Sequence, residues 1–515
     1  MPLPRSRAAL ALAAAGVLAL TGCTAGPDVG PGIVRGDNPG GGTSKTQLPG
    51  IAAPQHDLKY SSCGSKLSGY GVDVPSAVKV ACARLSVPVD PKDQGGDDLR
   101  LGIVKVSTSA TPSAAAPIVL VTGSDLPASR LALLFADDQI RPLVDRHPIV
   151  AVDRRGIGLS APVDCLTKDQ RTTLTNDAAS GDRDVQDRVT ALAASARQGA
   201  DICNDTLEPN QLEYSVSAAA ADLETLRTTW GVDRLALLGV GSGSSVALAY
   251  QAAHPDQVGR LILDSPVGFN TQATDAAQAR ADGLQNTLAA FASRCSAAGC
   301  SLGADGIAMI GRVVQAGAAG TLPGLSDTAI LTAVTTALAV GDTGTAGLKK
   351  LADAISKADG GDAGPLRALA DTGRDLRASD GQLVSACNDL VGRPGLDELP
   401  SMAKDWSKDA PITATGAALG LARCDGWGVA DAATAPTGFP VAPLVFVGAD
   451  DPVNGAKAAE GLTPLLITAG ANANTVSWDG LGYSVVAHSD CAVRTVVEYL
   501  GSEPLSGAGE RVCPS

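Results

Sequence analysis

The sequence is poor in charged and aromatic residues. Of its 515 residues, 18% are charged and 3% are aromatic, and the net charge is −14 with a pI of about 4.8. A nucleic-acid-binding surface needs an excess of positive charge, so this balance excludes nucleic acid as the expected partner. The hydrophobic fraction of 45% is enough for a large buried core, and the low charge excludes a disordered chain.

Metal-binding residues are also scarce. The chain has only four histidines, its 11 cysteines are scattered, and no two of them stand in a CxxC pair. A zinc site needs closely spaced cysteine or histidine ligands. The sequence therefore predicts no metal site and no cofactor.

Long apolar runs are absent as well, and the first 22 residues are typical of an export signal. Arg5 and Arg7 precede an apolar run over residues 8–20, which is shorter than the roughly 20 residues of a membrane-spanning helix. The run ends at Leu20-Thr21-Gly22-Cys23, which resembles a bacterial lipobox, in which the cysteine receives diacylglycerol. We therefore expect a signal peptide over 1–22 and a lipid on Cys23. An ordinary signal peptide with an incidental cysteine is the alternative.

Residues 23–55 have the composition of a flexible tether, because glycine and proline dominate and no hydrophobic period is present. The predicted location is the outer face of the cell membrane, with the membrane as a partner through the lipid on Cys23. Ten other cysteines then remain, which suggests five disulfides in an oxidising compartment. Pairing of neighbours in chain order is the simplest of several arrangements. These cysteines are Cys63, Cys82, Cys165, Cys203, Cys295, Cys300, Cys387, Cys424, Cys491 and Cys513.

Short apolar runs alternate with amphipathic stretches from Leu101 to Val267, which predicts a mostly parallel sheet flanked by helices. Strand patterns vanish over 269–431, an alanine-rich stretch with helical spacing, and return afterwards. The prediction is an α/β-hydrolase fold with its core at 56–268 and 432–515 and an inserted helical cap at 269–431.

Several motifs in the same order resemble one branch of the α/β-hydrolases, the secreted tripeptidyl aminopeptidase and mycelium-associated proteinase family. They are Asp153–Ser160, Asp222–Arg227, Tyr250 through His254-Pro255, Cys387-Asn388-Asp389, Cys424 with Trp427, Asp451-Pro452-Val453 and the ending from Cys491 to Cys513. The resemblance implies a serine peptidase fold and the disulfide pairs 63–82, 165–203, 295–300, 387–424 and 491–513.

Family members carry a nucleophilic serine on a sharp strand-to-helix turn, followed in the chain by an aspartate and a histidine. In this chain the nucleophile position is Gly241, between the small residues Gly239 and Gly243. The histidine position holds Tyr483, and only the acid, Asp451, is retained. Because a triad acts as a unit, losing its serine or histidine costs roughly a millionfold in turnover.

The oxyanion region departs from the family pattern too. It is expected at Gly123, Ser124 and Ser242, and the turn after the preceding strand reads Thr122-Gly123-Ser124-Asp125. A carboxylate close to developing negative charge opposes catalysis, by about 4 kcal/mol at about 4 Å in a medium of intermediate dielectric. We also expect that Asp451 braces a loop through a hydrogen bond to the Tyr483 hydroxyl.

Two alternatives keep a chemical role for this region. A shifted triad of Ser242, Asp451 and His488 has the correct chain order, but it places Val240 where a small residue is needed. Alternatively, Gly239 and Gly241 with Asp264 resemble a dinucleotide-binding loop, although Ser244 stands where its third glycine is expected.

The sequence thus predicts a non-catalytic, lipid-anchored surface protein that binds a peptide, cell-wall material or a partner protein in the old cleft. An active serine hydrolase with the shifted triad is the alternative. A purely structural envelope protein is a third possibility, and it differs in predicting a filled cleft.

Overall fold

The structure is a computed structural model that describes residues 47–515 apart from 73, 94, 182, 504 and 506–508. The predicted signal peptide, the lipid-bearing Cys23 and most of the predicted tether lie outside the described residues. No helix within the described part of the chain has the length and apolarity needed to cross a membrane.

Ten strands form a single sheet in the spatial order β1-β2-β3-β5-β4-β6-β7-β8-β9-β10. The strands are β1 (Ser61–Ser62), β2 (Val78–Pro88), β3 (Asp98–Thr108), β4 (Ile118–Thr122), β5 (Ile149–Val152), β6 (Leu235–Val240), β7 (Val258–Asp264), β8 (Leu444–Asp450), β9 (Asn474–Leu481) and β10 (Glu510–Cys513). The first three strands pair antiparallel, β3 is antiparallel to β5, and all the remaining pairs are parallel. The predicted mostly parallel sheet is confirmed.

The central strands are apolar throughout because helices cover both faces of the sheet. In β6 the side chains of Leu238 and Val240 pack into one hydrophobic cluster, and those of Leu235 and Leu237 pack into another on the opposite face. The helices around the core are α1 (Gly64–Leu67), α2 (Ala128–Leu131), α3 (Arg141–Val144), α4 (Lys168–Thr175), α5 (Val185–Leu207), α6 (Val216–Trp230), α7 (Gly243–Ala253), α16 (Thr463–Thr468) and α17 (Asp490–Tyr499).

Every residue between β7 and β8 is described, and none of them forms a strand. This stretch contains α8 (Ala273–Ala298), α9 (Gly306–Ala318), α10 (Asp327–Val340), α11 (Thr345–Asp359), α12 (Gly364–Arg377), α13 (Asp380–Asn388), α14 (Leu399–Trp406) and α15 (Ala414–Gly420). Helices α4 and α5, which the sequence analysis assigns to the core, share a hydrophobic cluster with α14 and α15. The exact limits of the cap stay a prediction.

Short 3-10 helices complete the secondary structure. They span Ser68–Tyr70, Ala132–Ala136, Gln211–Glu213, Pro255–Gln257, Leu421–Cys424, Ala456–Leu462 and Val485–Ala487. All five disulfide pairs implied by the family resemblance are present.

Two buried ion pairs fix the loop after β5. The Arg155 guanidinium binds both carboxylate oxygens of Asp222 in α6, each at 2.7 Å, and Arg154 binds Asp389 at 2.6 Å. Since Asp389 follows α13, the second pair ties the helical insertion to the sheet. Removing one partner of such a pair leaves an uncompensated buried charge, so these contacts hold the loop in one position.

Candidate functional site

The candidate site lies where neighbouring parallel strands end, which is the edge at which α/β sheets place their ligands. Asp125 follows β4, Gly241 follows β6 and Asp264 ends β7. Asp451 follows β8, and Tyr483 follows β9. Residues far apart in the chain therefore meet at one edge of the sheet.

Gly241 occupies a sharp turn between β6 and α7. Its φ of 57° lies in the left-handed region, where glycine has no steric penalty. The small residues predicted on either side are required by close packing, because a Cβ built on Gly243 would overlap the backbone at Val121. The position of the sharp turn expected of a hydrolase is thus reproduced, but no side chain projects from it.

The space above Gly241 is filled by other side chains. A Cβ at residue 241 would stand closer than 3.0 Å to the Tyr483 hydroxyl, the Asp125 carboxylate and the side-chain amide of Asn454. Tyr483 is fully buried and Asn454 is 4% exposed. The volume that a nucleophilic serine needs is therefore occupied, which favours a filled cleft over ligand binding directly above residue 241.

The hydrogen-bond donors of the expected oxyanion hole already have acceptors. Such a hole uses the backbone N–H of the residue after the nucleophile and an N–H from the loop after a neighbouring strand. Here the Ser242 N–H donates to Asp125 Oδ2 at 2.7 Å, and the Ser124 N–H donates to the Ser242 Oγ at 3.2 Å. Gly123 allows this contact, since a Cβ there would overlap the Ser242 side chain.

Tyr483 completes this network, but with a different partner from the one expected. Its hydroxyl donates to Asp125 Oδ2 at 3.2 Å, so the predicted hydrogen bond to Asp451 is wrong. The physical reason is position, because Asp451 Oδ1 instead accepts the backbone N–H groups of Val453 at 2.7 Å and Asn454 at 3.1 Å. Burial, aided by the charges of Asp125 and Asp264, raises the pKa of Asp451 to about 7.

The shifted triad is not assembled. His488 lies with its ring stacked on Trp478, the centroids 6.0 Å apart, and contacts Gly482. No hydrogen bond joins it to Ser242 in the described chain, and the only hydrogen bond of the Ser242 Oγ comes from the Ser124 N–H. Burial lowers the pKa of His488 to about 4, which keeps its imidazole neutral near pH 7.

Asp264 has a role that the sequence analysis missed. Its carboxylate is fully buried and accepts hydrogen bonds from the Ser484 hydroxyl at 2.7 Å and from the backbone N–H groups of Val485 at 2.8 Å and Val486 at 3.0 Å. It therefore fixes the loop that carries Tyr483. This arrangement leaves no carboxylate for a ribose, so the dinucleotide alternative is not supported. The only signal in the sequence was an aspartate at the end of an apolar strand.

No group of three or more histidine, cysteine or acidic side chains in the described part of the chain is arranged to hold a metal ion. At the candidate site, the Ser242 N–H and the Tyr483 hydroxyl donate to Asp125, and Asp451 accepts the backbone N–H groups of Val453 and Asn454.

Comparison with known proteins agrees with the topology. The family described as "alpha/beta hydrolase fold" matches residues 120–302, from β4 through the turn at Gly241 and into the helical insertion. The chain has the α/β-hydrolase fold. Among solved structures, a thermophilic esterase from Thermogutta terrifontis aligns at 14% identity and a TM-score of 0.35, covering 81% of this chain and 97% of the esterase.

Two named relatives of this chain are a serine protease and a tripeptidyl aminopeptidase. It is 27% identical over 271 residues to the serine protease Hip1 of Mycobacterium tuberculosis, covering 52% of this chain and 50% of that protein. It is 23% identical over 199 residues to a tripeptidyl aminopeptidase of Streptomyces lividans, covering 36% and 35% respectively. The chain thus spans at most about half the length of these relatives.

We predict that Asp125→Ala destabilises the protein by about 1–3 kcal/mol, because the Ser242 N–H and the Tyr483 hydroxyl lose their acceptor. Formate should restore part of the loss by occupying the vacated carboxylate position. The measurement is the midpoint of thermal unfolding with and without sodium formate. Asp138→Ala, which removes a 79% exposed carboxylate, is the control. Equal effects of formate on both variants would contradict the assigned network.

We also predict a pH-dependent effect of Asp451→Asn. In the folded protein Asp451 keeps its proton up to about pH 7, whereas the unfolded chain releases it near the ordinary value of 3.8. Wild-type stability therefore declines between these pH values, and each pKa unit corresponds to about 1.4 kcal/mol. The variant cannot ionise there, so its stability relative to wild type should rise from pH 4 to pH 7 and then level off.

The measurement is urea unfolding at several pH values, and the comparison with wild type cancels the titration of all other groups. Asp479→Asn, at an exposed residue of β9, serves as the matched control. A stability difference that does not change with pH in Asp451→Asn would show that the carboxylate is not held in its protonated form.

Proposed function

We propose that this chain is a non-hydrolytic α/β-hydrolase-fold protein that acts at the outer face of the cell membrane by binding rather than by catalysis. One observation carries the proposal: the Tyr483 hydroxyl and the Asp125 carboxylate occupy the space of a nucleophilic side chain above Gly241. The names of the relatives, a serine protease and a tripeptidyl aminopeptidase, support a peptide or protein as the class of partner.

The network also opposes catalysis electrostatically. An acyl-transfer transition state needs free donors aimed at its developing oxyanion, and removing one such donor costs about 100- to 1,000-fold in turnover. In this site Asp125 holds the Ser242 N–H and the Tyr483 hydroxyl. A negative charge therefore already stands where a second one would have to form, which disfavours the reaction further.

The filled centre also limits where a partner binds. Ser124, Asp125 and Ser242 are each partly exposed, whereas Gly241, Asp451 and Tyr483 are buried. A partner that reaches the old cleft therefore contacts its rim and the inserted helices rather than the former reaction centre. The site therefore favours a partner that binds at the rim and disfavours a substrate whose scissile bond has to enter the centre.

We predict that a fluorophosphonate probe does not label the protein covalently, because the Ser242 hydroxyl has no histidine within hydrogen-bond reach among the residues that the structure describes. The measurement is in-gel fluorescence or intact-mass analysis of wild type, with an active serine hydrolase in the same sample as the positive control. Ser242→Ala and Ser245→Ala form a matched pair on the turn and on α7. Labelling of wild type and Ser245→Ala that is lost in Ser242→Ala would overturn the non-catalytic proposal.

The attachment at the membrane rests on the lipobox-like residues Leu20–Cys23. We predict that Cys23→Ala moves the exported protein from the membrane fraction to the soluble fraction, because the lipid has no other acceptor in this motif. Fractionation followed by immunoblotting measures the distribution, and Thr24→Ala is the control. Unchanged membrane association of Cys23→Ala would contradict lipid attachment at this residue.

A further inference from the structure

Two arginines of the inserted helices flank the filled centre, and neither forms an ion pair with an acidic residue that the structure describes. Arg377 ends α12, and its Nη1 donates to the hydroxyls of Thr335 at 2.9 Å and Thr336 at 3.5 Å. Arg280 in α8 makes no hydrogen bond or ion pair with any residue that the structure describes. Both residues are partly exposed.

Hydrogen bonds from one side-chain amide to two backbone carbonyls place Arg377 over the rim of the oxyanion region. The Gln382 Nε2 donates to the carbonyl of Ser124 at 3.1 Å and to the carbonyl of Leu376 at 3.0 Å. This one amide joins the end of α12 to the turn that carries Asp125. Arg377 directly follows Leu376, so it is held at the same rim.

Arg280 reaches the opposite side of the centre. On α8 it shares a face with Gly283 and Thr287, because residues three, four and seven positions apart align along a helix. Gly283 packs against the backbone of Gly455, and the Thr287 hydroxyl donates to the Asp451 carbonyl at 2.9 Å. The face that carries Arg280 therefore rests on the turn after β8.

The two positive charges are close enough to affect each other. The pKa of Arg377 is lowered to about 10, first by burial and then by the charge of Arg280. Like charges in a partly desolvated crevice are unfavourable unless an anion joins them. Asp125 attracts Arg377, but its oxygens are more than 4.0 Å away, and Oδ2 is engaged by Ser242 and Tyr483.

A further unpaired donor lies above Gly241. The Asn454 Nδ2 is buried, has no acceptor among the residues that the structure describes, and faces this space. Asn454 belongs to the same turn that Gly283 and Thr287 contact. The two arginines, which form no ion pair with a residue that the structure describes, thus lie at the rim of the old cleft, and the Asn454 amide lies in its buried centre.

We propose that Arg280 and Arg377 form a binding site for a terminal oxyanion, a carboxylate or a phosphate, at the crevice between the inserted helices and the sheet. Guanidinium groups suit this ligand because they donate paired hydrogen bonds to two oxygens at once. The inference deepens the proposed binding function and rests on it, since it names the chemical class that the rim recognises. A peptide C-terminus and a phosphate-bearing envelope component both present this chemistry.

The test is isothermal titration calorimetry of the full chain at constant ionic strength with three probes. They are inorganic phosphate, acetyl-Ala-Ala with a free carboxylate, and acetyl-Ala-Ala amide. We expect at least one of the two anions to bind and the amide not to bind. Preference for acetyl-Ala-Ala would identify a peptide C-terminus as the source of the oxyanion, and preference for phosphate would identify a phosphate-bearing component.

Arg280→Gln and Arg377→Gln should each weaken binding of the anion by about tenfold, since each removes a charged hydrogen-bond donor. Arg374→Gln is the matched control, because this exposed arginine lies on α12 and pairs with Asp371. If Arg377→Gln does not fold, Arg280→Gln decides, because Arg280 makes no hydrogen bond or ion pair with a described residue that the substitution would break. The proposal would be overturned if neither anion binds, if the amide binds as tightly as the anions, or if the affinity is unchanged in Arg280→Gln.

These measurements separate the two proposals. Fluorophosphonate labelling reports on Ser242 and does not depend on the arginines. Anion binding with no labelling supports both proposals. Labelling that depends on Ser242 overturns the non-catalytic function, and the anion titration then still measures how the rim recognises its ligand. No anion binding with no labelling overturns only the arginine site.

Discussion

The hydrogen bond between the Ser242 N–H and the Asp125 carboxylate is the contact on which the character of this site depends. In a working acyl-transfer site the corresponding donor is held in place but is free until the transition state forms. Here it is satisfied at 2.7 Å within the ground state, and the same carboxylate oxygen accepts the Tyr483 hydroxyl. The Asp125 carboxylate therefore stands where a hydrolase would stabilise the oxyanion of its substrate.

This arrangement concentrates acidic groups in a small volume. Asp125, Asp264 and Asp451 end or follow neighbouring strands, and burial raises the pKa of Asp264 to about 6 and that of Asp451 to about 7. Backbone N–H groups at the loops after β8 and β9 offset part of this cost by donating to the two buried carboxylates. Because these donors stabilise the buried carboxylates, the site does not need a histidine to hold them in the fold.

The surrounding scaffold keeps the loops in register around this network. The ion pair of Arg155 with Asp222 joins the loop after β5 to α6, and that of Arg154 with Asp389 joins the same loop to the inserted helices. The Cys387–Cys424 and Cys165–Cys203 disulfides lie in the cluster that unites α4 and α5 with the insertion. The architecture therefore does not depend on a side chain at residue 241, because these long-range contacts do not involve that position.

The sequence by itself determined the features that depend on residues close together in the chain. Apolar runs predict the strands, the small residues around Gly241 predict the sharp turn, and the family resemblance predicts that Tyr483 stands at the histidine position. What the sequence did not reveal is which groups meet, because Tyr483 and Asp125 are 358 positions apart and no local pattern encodes their contact.

The tertiary structure decided the outcome at three points. The Tyr483 hydroxyl contacts Asp125 rather than Asp451, and the His488 ring stacks on Trp478. The Asp264 carboxylate accepts a hydrogen bond from the loop after β9. Each depends on how separate strand ends converge in space. The sequence determined which side chains were available, and packing determined that Tyr483 and Asp125 fill the space above Gly241.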